Sequence, residues 1–378
     1  MTGKVLIIQR VIMHYRLGLF KGLKSLNYTL ATSSRNSIEK YKDLGLPLEK
    51  IRGFFPFRAR KSLGLIFLKK IIRKTKPAVI IVEFDPNIVN LISILRLRKK
   101  LGYKIILWTQ GYSSKRNTFE PFKNITDYYR LHWYRKADKL FVYQTMALTL
   151  LKDYIPQEKI VVLNNTLDSN EIEKDYQKLK KLGSEKVKKN LGIDQKKVAL
   201  FLGSLSKRKK PFELLKNISK YFNSDNDLLF IIIGDGEEMN RIKHYISEKN
   251  LKNILLLGSL ENLTDVNRYI FISNIIVIPS HVGLVANHAI LMRTPVLTIN
   301  RGEEAKSHAP EFNYLINGKN SIIADNFDTL KNYLLDFLNE KIVLDDYQIP
   351  VELKIDSMIR KFIDGIELEL NDTIPAND

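Results

Sequence analysis

Three short stretches in the second half of the chain carry residue types that bind phosphate. The first is Gly203-Ser204-Leu205, followed by Ser206-Lys207-Arg208-Lys209-Lys210. A glycine at a strand end lets a ligand approach the backbone. Cations just beyond it, before a helix N-terminus, suit a diphosphate because charge and backbone donors converge there. The same run also reads as a solvated charge cluster opening a helix. The second stretch is Gly234-Asp235-Gly236-Glu237-Glu238, where two glycines around a helix start allow close backbone approach or make an ordinary turn. The third is Ser280-His281-Val282-Gly283-Leu284-Val285-Ala286-Asn287-His288, with Pro295 opening the next strand. Gly283 and Leu284 would stand at a helix N-terminus, whose unpaired N–H groups can hold phosphate. His288 falls on the first turns of that helix, as a ligand group or as a satisfied, half-buried side chain.

The first half offers different chemistry. One strand ends in Trp108-Thr109-Gln110-Gly111-Tyr112, and another runs into Arg10 and then His14-Tyr15-Arg16. Both sets bring polar or aromatic groups to strand mouths, where they can stack on or hydrogen-bond a polar substrate. Glu83 and Asp85 also follow a strand, and capping is an equal reading. Val161 to Asp168 places amides and a hydroxyl at the junction of the two halves, in either a hinge or a binding role. The chain has no cysteine, which removes disulfide scaffolds, thiolate zinc sites, iron–sulfur clusters and cysteine nucleophiles. The six histidines form no metal-spaced pair. Asp225-Asn226-Asp227 spells a pattern that can hold a divalent ion, but it precedes a strand, at the wrong sheet end, and reads as a turn. No metal and no cofactor are expected.

The elements that must position these groups alternate. Short apolar runs at 4–9, 28–33, 78–84, 103–108, 138–143 and 159–163 read as buried parallel strands. Helical periodicity falls at 16–26, 63–75, 87–101, 121–136 and 145–153. A second series has strands at 197–203, 228–233, 253–257, 274–279 and 295–299, and helices at 210–222, 236–249, 263–271, 284–293 and 326–340. Strand–helix alternation implies an α/β protein with a doubly wound parallel sheet in each half. The 378 residues fit two domains. We expect a Rossmann-like domain at 1–168, a linker or exposed helix at 169–195, a second Rossmann-like domain at 196–345, and a segment at 346–378 returning to the first domain as a helix. In such sheets ligands bind beyond the carboxyl ends of the strands, so a cleft between the domains is the expected site.

Charge is divided unequally. The chain carries a net +20, yet residues 1–165 hold 32 Lys/Arg against 10 Asp/Glu, while residues 166–378 hold 29 against 31. The densest stretch is Arg58, Arg60, Lys61, Lys69, Lys70, Arg73, Lys74 and Lys76, interleaved with Leu63 to Leu68; Arg96, Arg98, Lys99 and Lys100 form a second cluster. Cations among apolar side chains suit an anionic lipid surface, or form a solvated helix face. Nucleic acid is not expected, since no binding motif accompanies the charge. The start of the chain reads as a strand cut short by Arg10, not as a signal peptide. No run reaches the roughly 18 apolar residues of a membrane span. A cytoplasmic protein, peripheral at the inner face of the cell membrane, is the expectation.

These motifs together resemble the GT-B fold glycosyltransferases of family 4, the retaining group 1 enzymes, and among them the bacterial surface-polysaccharide type. The likeness rests on His14-Tyr15-Arg16, Trp108 to Tyr112, Val162-Leu163-Asn164-Asn165-Thr166, Gly203 to Lys209, Gly234-Asp235-Gly236 and Pro279 through Pro295. His308-Ala309-Pro310-Glu311-Phe312 with Asn317-Gly318 extends it. The resemblance implies a hexosyltransferase whose second domain binds a UDP- or GDP-linked sugar, through Gly203, Ser204, Gly234, Ser280, Gly283, Leu284, Val285 and His288. The first would hold a lipid-linked saccharide acceptor, through His14, Tyr15, Arg16, Trp108, Gly111 and Tyr112. Lys209 matches the family's phosphate-binding lysine. Ser204 replaces the family's preceding arginine, whose charge Arg208 would supply. The family's two glutamates fall on Ser280 and His288, the second at the ribose hydroxyls. Gln110 replaces a histidine near the transferred sugar; it can orient a hydroxyl but cannot titrate. Catalysis by Gln110, Arg208 and Lys209 would then be positioning plus stabilisation of the departing diphosphate. The three departures at Gln110, Ser204 and Ser280 motivate an alternative, a non-catalytic nucleotide-sugar or glycan-binding relative. A nucleotide-sugar epimerase of the same architecture would need charged catalytic groups that the sequence does not display.

Overall fold

The structure, a computed structural model, describes residues 3–51, 63–84, 91–113, 116–305 and 308–371, with side chains of 63–67 and 91–93 left aside. Arg58, Arg60, Lys61 and Asp85 lie outside the described residues. The chain divides into two compact units, residues 1–168 with 354–378, and residues 169–353.

In the first unit the strands are β1 (Val5–Gln9), β2 (Tyr28–Thr32), β3 (Leu48–Lys50), β4 (Val79–Glu83), β5 (Lys104–Thr109), β6 (Lys139–Val142) and β7 (Ile160–Val162). Helices α1 (Leu17–Gly22), α2 (Arg35–Tyr41), α3 (Leu63–Thr75), α4 (Leu91–Leu101), α5 (Ile125–Lys136) and α6 (Thr145–Leu151) connect them. All seven strands are parallel, in the order β3-β2-β1-β4-β5-β6-β7. Every residue of β1 is buried, because helices cover both faces, and its sequence is accordingly a continuous apolar run ended by Gln9. The chain steps outward from β1 to β3, then returns to the far side of β1 as β4. The strand order therefore reverses between β1 and β4. The sequence reading lacks α2 and β3. β3 is a three-residue edge strand with two charged residues, Glu49 and Lys50, so it has no apolar run to mark it.

The second unit begins with α7 (Ser169–Leu182) and α8 (Ser184–Asn190). It continues through β8 (Lys197–Leu202), α9 (Pro211–Ser224), β9 (Leu228–Ile233), α10 (Met239–Glu248), β10 (Ile254–Gly258), α11 (Leu263–Ile272) and β11 (Ile275–Val277). It closes with α12 (Val285–Leu291), β12 (Val296–Ile299), β13 (Ser321–Ala324) and α13 (Phe327–Leu338). The sheet is parallel, in the order β10-β9-β8-β11-β12-β13, with its reversal between β8 and β11. The segment at 169–195, expected as a linker or an exposed helix, is two helices, and the first of them is not simply exposed. α7 buries Ile172, Asp175 and Leu179 along one stripe and packs on α11, so the segment is an integral layer of this unit. The unit also runs beyond 345, to Leu353.

The last helix, α14 (Ile355–Asn371), belongs to the first unit. Ile355, Met358, Phe362, Ile366 and Leu370 recur at helical spacing and join the core formed by Trp108, Phe141 and Ile81. Burying each of these side chains stabilises by about 1.5–3 kcal/mol. Gly365 allows the approach, since a Cβ there would lie 2.6 Å from the Phe141 ring. A buried ion pair of 2.7 Å joins Glu369 to Lys139 at the start of β6.

Candidate functional site

The β8/β11 reversal of the second unit is where the phosphate-type motifs assemble. β8 ends at Leu202, and the chain turns at Gly203 with φ +139°. The loops after β8 and β9 then lie on each other: Gly203 N–H donates to Ile233 O (3.0 Å), Leu205 N–H to Asp235 O (2.9 Å) and Glu238 N–H to Leu205 O (2.9 Å). A Cβ on Gly234 would sit 1.8 Å from Gly203 O, and one on Gly236 2.7 Å from Leu205 O. The close backbone approach read from Gly234-Asp235-Gly236 is thus made by the chain's own Gly203–Leu205 loop. Ser204 is exposed.

Beyond this loop Lys207–Lys209 form a single helical turn. Lys210 then adopts a left-handed φ of +55°, and Pro211 opens α9 in the first helical position. This sharp turn leaves Arg208 exposed and folds Lys209 inward to 9% exposure. Lys209 Nζ donates to His281 O at 3.2 Å, so it ties the loop after β8 to the loop after β11. His281 itself has φ +51°. Burial, reinforced by Arg208 and opposed by Glu311, pulls the Lys209 pKa down to about 8. Its ammonium is underserved by solvent, and an incoming anion would restore what burial removes.

The loop after β11 is held from the other side. Val282 N–H donates to His308 Nδ1 (3.1 Å), so His308 Nε2 carries the proton it shares with Ile299 O (2.9 Å). Burial pushes this ring's pKa down to about 4, and it stacks on Phe312 with centroids 4.1 Å apart. Gly283 and Leu284 precede α12 and Val285 opens it; Ala286 N–H donates to Gly283 O (2.8 Å). Ser280 and His288 are buried. His288 Nε2 meets Asn267 Oδ1 at 2.6 Å, and Asn267 Nδ2 donates to Asp175 Oδ2 at 3.0 Å.

The β1/β4 reversal of the first unit is arranged differently. Arg16 is buried, donates to Gln9 and to the Tyr143 hydroxyl, approaches Glu83 at 3.7 Å and lies over the Trp108 ring at 4.2 Å. Burial works against its charge, but Tyr143, Tyr15 and Glu83 outweigh that and hold its pKa above the ordinary value. Trp108 is 0% exposed, edge-on to Phe362 of α14. Tyr112 is buried with its hydroxyl taken by the Gln144 side chain. Gly111, at φ +90°, is buried against Ala147. Arg16, Trp108, Gly111 and Tyr112, expected to contact an acceptor, are all buried within this unit, Trp108 because β5 is an interior strand of the sheet. His14 is exposed, and Tyr15 and Gln110 are half-buried.

Among the described residues no group of three or more His, Asp or Glu is placed to hold a metal ion. Asp225 accepts from Asp227 N–H at 2.9 Å, forming the turn before β9. Sequence reasoning gave no role to two functional candidates. Glu311 enters through its effect on Lys209. Asp175 sits in the apolar stripe of α7, where a lone acid among Ile172 and Leu179 is the signal that could have found it.

Residues 183–347 match the family described as Glycosyl transferases group 1. Over 336 residues the chain is 24% identical to a protein described as an uncharacterized glycosyltransferase of Methanocaldococcus jannaschii, covering 83% of this chain and 80% of that protein. HepE of Anabaena, solved in complex with UDP and glucose, superposes with a TM-score of 0.66 at 14% identity, covering 97% of this chain and 99% of that one. UDP-GlcNAc 2-epimerase of Methanocaldococcus jannaschii superposes with a TM-score of 0.63 at 18% identity, covering 97% and 99%. At these identities the structural likeness speaks for the fold.

Proposed function

We propose that this chain, whose residues 183–347 match the group 1 glycosyltransferases and whose two sheets are both parallel, is a GT-B glycosyltransferase. On that premise we propose that it moves a hexose, with retention, from a UDP- or GDP-linked donor to a lipid-linked saccharide acceptor in surface polysaccharide synthesis. The observation that carries the reading is Lys209: a buried cation at a strand-order reversal, bonded to a neutral carbonyl, is suited to meet a diphosphate. The UDP complex of HepE supports the same class of donor.

In this reading the bond between the sugar's anomeric carbon and the diphosphate breaks, and the acceptor oxygen attaches on the same face. The acceptor's proton goes to the departing phosphate oxygen. Lys209, Arg208 and the amides of Gly283, Leu284 and Val285 stabilise the charge that develops on the diphosphate. No protein nucleophile and no divalent metal take part. Gln110 orients a hydroxyl without titrating. The first unit receives the acceptor at its exposed and half-buried groups, His14, Tyr15 and Gln110.

No described helix is long and apolar enough to cross a membrane. The exposed Lys69, Lys70 and Arg73 of α3 and Arg96, Lys99 and Lys100 of α4 would hold the first unit to the anionic inner leaflet, at about 1 kcal/mol each. Sedimentation with phosphatidylglycerol vesicles tests this: Lys69→Glu with Lys70→Glu should weaken binding, and salt should abolish it.

The transfer itself is tested by incubating the protein with membrane extracts and common UDP- and GDP-sugars in the presence of EDTA. We expect nucleotide release with one donor. Release with none would sink the reading. Stabilisation by nucleotide, with a Lys209→Ala variant leaving polysaccharide output unchanged, would instead favour a non-catalytic binding protein.

A further inference from the structure

The environment of His288 has a feature that donor binding alone does not require. His288 is 6% exposed, Asn267 0% and Asp175 6%, and they form a line across α12, α11 and α7. Asp175 Oδ2 accepts from Thr264 Oγ1 at 2.9 Å and from Asn267 Nδ2 at 3.0 Å. A carboxylate only accepts, so the amide of Asn267 must point its NH2 group at Asp175. The reverse orientation would set Asn267 Oδ1 against a carboxylate oxygen inside the protein. Asn267 Oδ1 therefore faces His288 Nε2, 2.6 Å away. An amide oxygen also only accepts, so Nε2 must carry a proton. In the neutral ring this makes Nδ1 the acceptor.

We propose that Asp175 and Asn267 are positioning residues that lock the neutral His288 ring in its Nε2-protonated tautomer, so that Nδ1 accepts a hydrogen bond from a ribose hydroxyl of the donor. The chain thereby gives a histidine the polarity of a carboxylate toward that hydroxyl. Thr264, one helical turn before Asn267 on α11, supplies the second bond that fixes Asp175. The tautomer lock stands on the hydrogen-bond geometry; the hydroxyl contact rests on the reading of this crevice as a nucleotide site.

The test has two arms. In the first, 15N NMR of the full chain labelled at histidine is recorded at pH 8, with His288→Gln used to assign the signals. Wild type should show a protonated Nε2 and an unprotonated Nδ1 for His288. Asp175→Ala should shift this toward the other tautomer, and Asp175→Asn, which keeps an acceptor, should restore it. In the second, calorimetry compares UDP and GDP with their 2′,3′-dideoxy analogues. Wild type should favour the ribose form by about tenfold, as expected for one well-made hydrogen bond. Asp175→Ala should reduce that preference to about twofold without weakening the dideoxy ligand, and Asp175→Asn should retain it. An Nδ1-protonated ring in wild type, an unchanged tautomer in Asp175→Ala, or equal weakening of both ligands would overturn the proposal. Absence of any nucleotide binding to wild type would overturn the nucleotide reading and the hydroxyl contact together, while the NMR arm decides the lock by itself.

Discussion

The two units use one topology to opposite ends. In each, the sheet order reverses beside a central strand, at β1/β4 and at β8/β11, and each reversal holds a buried cation. Arg16 is met by Gln9, Tyr143, Glu83 and the face of Trp108. Lys209 is met by a carbonyl, and its pKa falls to about 8. The first cation is consumed by the fold, whereas the second is held in deficit. Topology says where a ligand can bind, and the partners of the cation say whether the place is already taken.

Exchanging the two cations for a neutral chain of similar length tests this contrast most directly. Lys209→Met should lower turnover by about 100- to 1,000-fold, the scale for losing one preorganised donor to a developing anion. It should also raise stability by about 1 kcal/mol or more, because a base whose folded pKa is depressed costs free energy while it is charged below that pKa. Arg16→Met should do the reverse, lowering the urea midpoint through loss of a buried, bonded charge. If both variants lose stability alike, the contrast between the crevices is broken.

An effect on stability alone is expected where the two loops of the second crevice meet. Gly234→Ala sets a Cβ 1.8 Å from Gly203 O at φ +146°, and should cost about 3 kcal/mol in urea denaturation. Gly302, with nothing near its missing Cβ, should tolerate alanine within about 0.5 kcal/mol.

The smallest effect concerns pH. His308 is neutral in the fold, with a pKa near 4 against an ordinary 6.5, so the unfolded chain binds its proton first as pH falls. Its contribution is complete above pH 6.5 and erodes as pH drops from 6.5 toward 4, by at most about 1.4 kcal/mol per pH unit. Chemical denaturation between pH 4 and 7 should show a shallower slope for His308→Gln than for wild type. An unchanged slope would assign the acid sensitivity elsewhere.

Much of this was legible in the residues. Continuous apolar runs such as Leu228 to Ile233 mark interior parallel strands, and glycines and cations just past them mark the second crevice. The first crevice misled for a physical reason. Trp108 and Arg16 are residue types that recognise sugars, but what covers Trp108 is Phe362, more than 250 positions away, and no local pattern announces so distant a partner. β3 and β13 are too short for periodicity. Asp175 lay in a lysine-rich stretch whose outer face dominates its composition, although the stripe of Ile172, Asp175 and Leu179 was there to be read.

The late arrival of α14 bears on biosynthesis. Its apolar stripe caps a core whose other walls are complete by residue 163, so this unit waits for nearly two hundred further residues to leave the ribosome, whereas residues 169–353 are contiguous. At about 5–20 residues per second that is a delay of roughly 10–40 s, during which the first unit stands without its last helix while residues 169–353 are being made. Pulse proteolysis of stalled nascent chains should find residues 169–353 protected while the first 168 are still being cut.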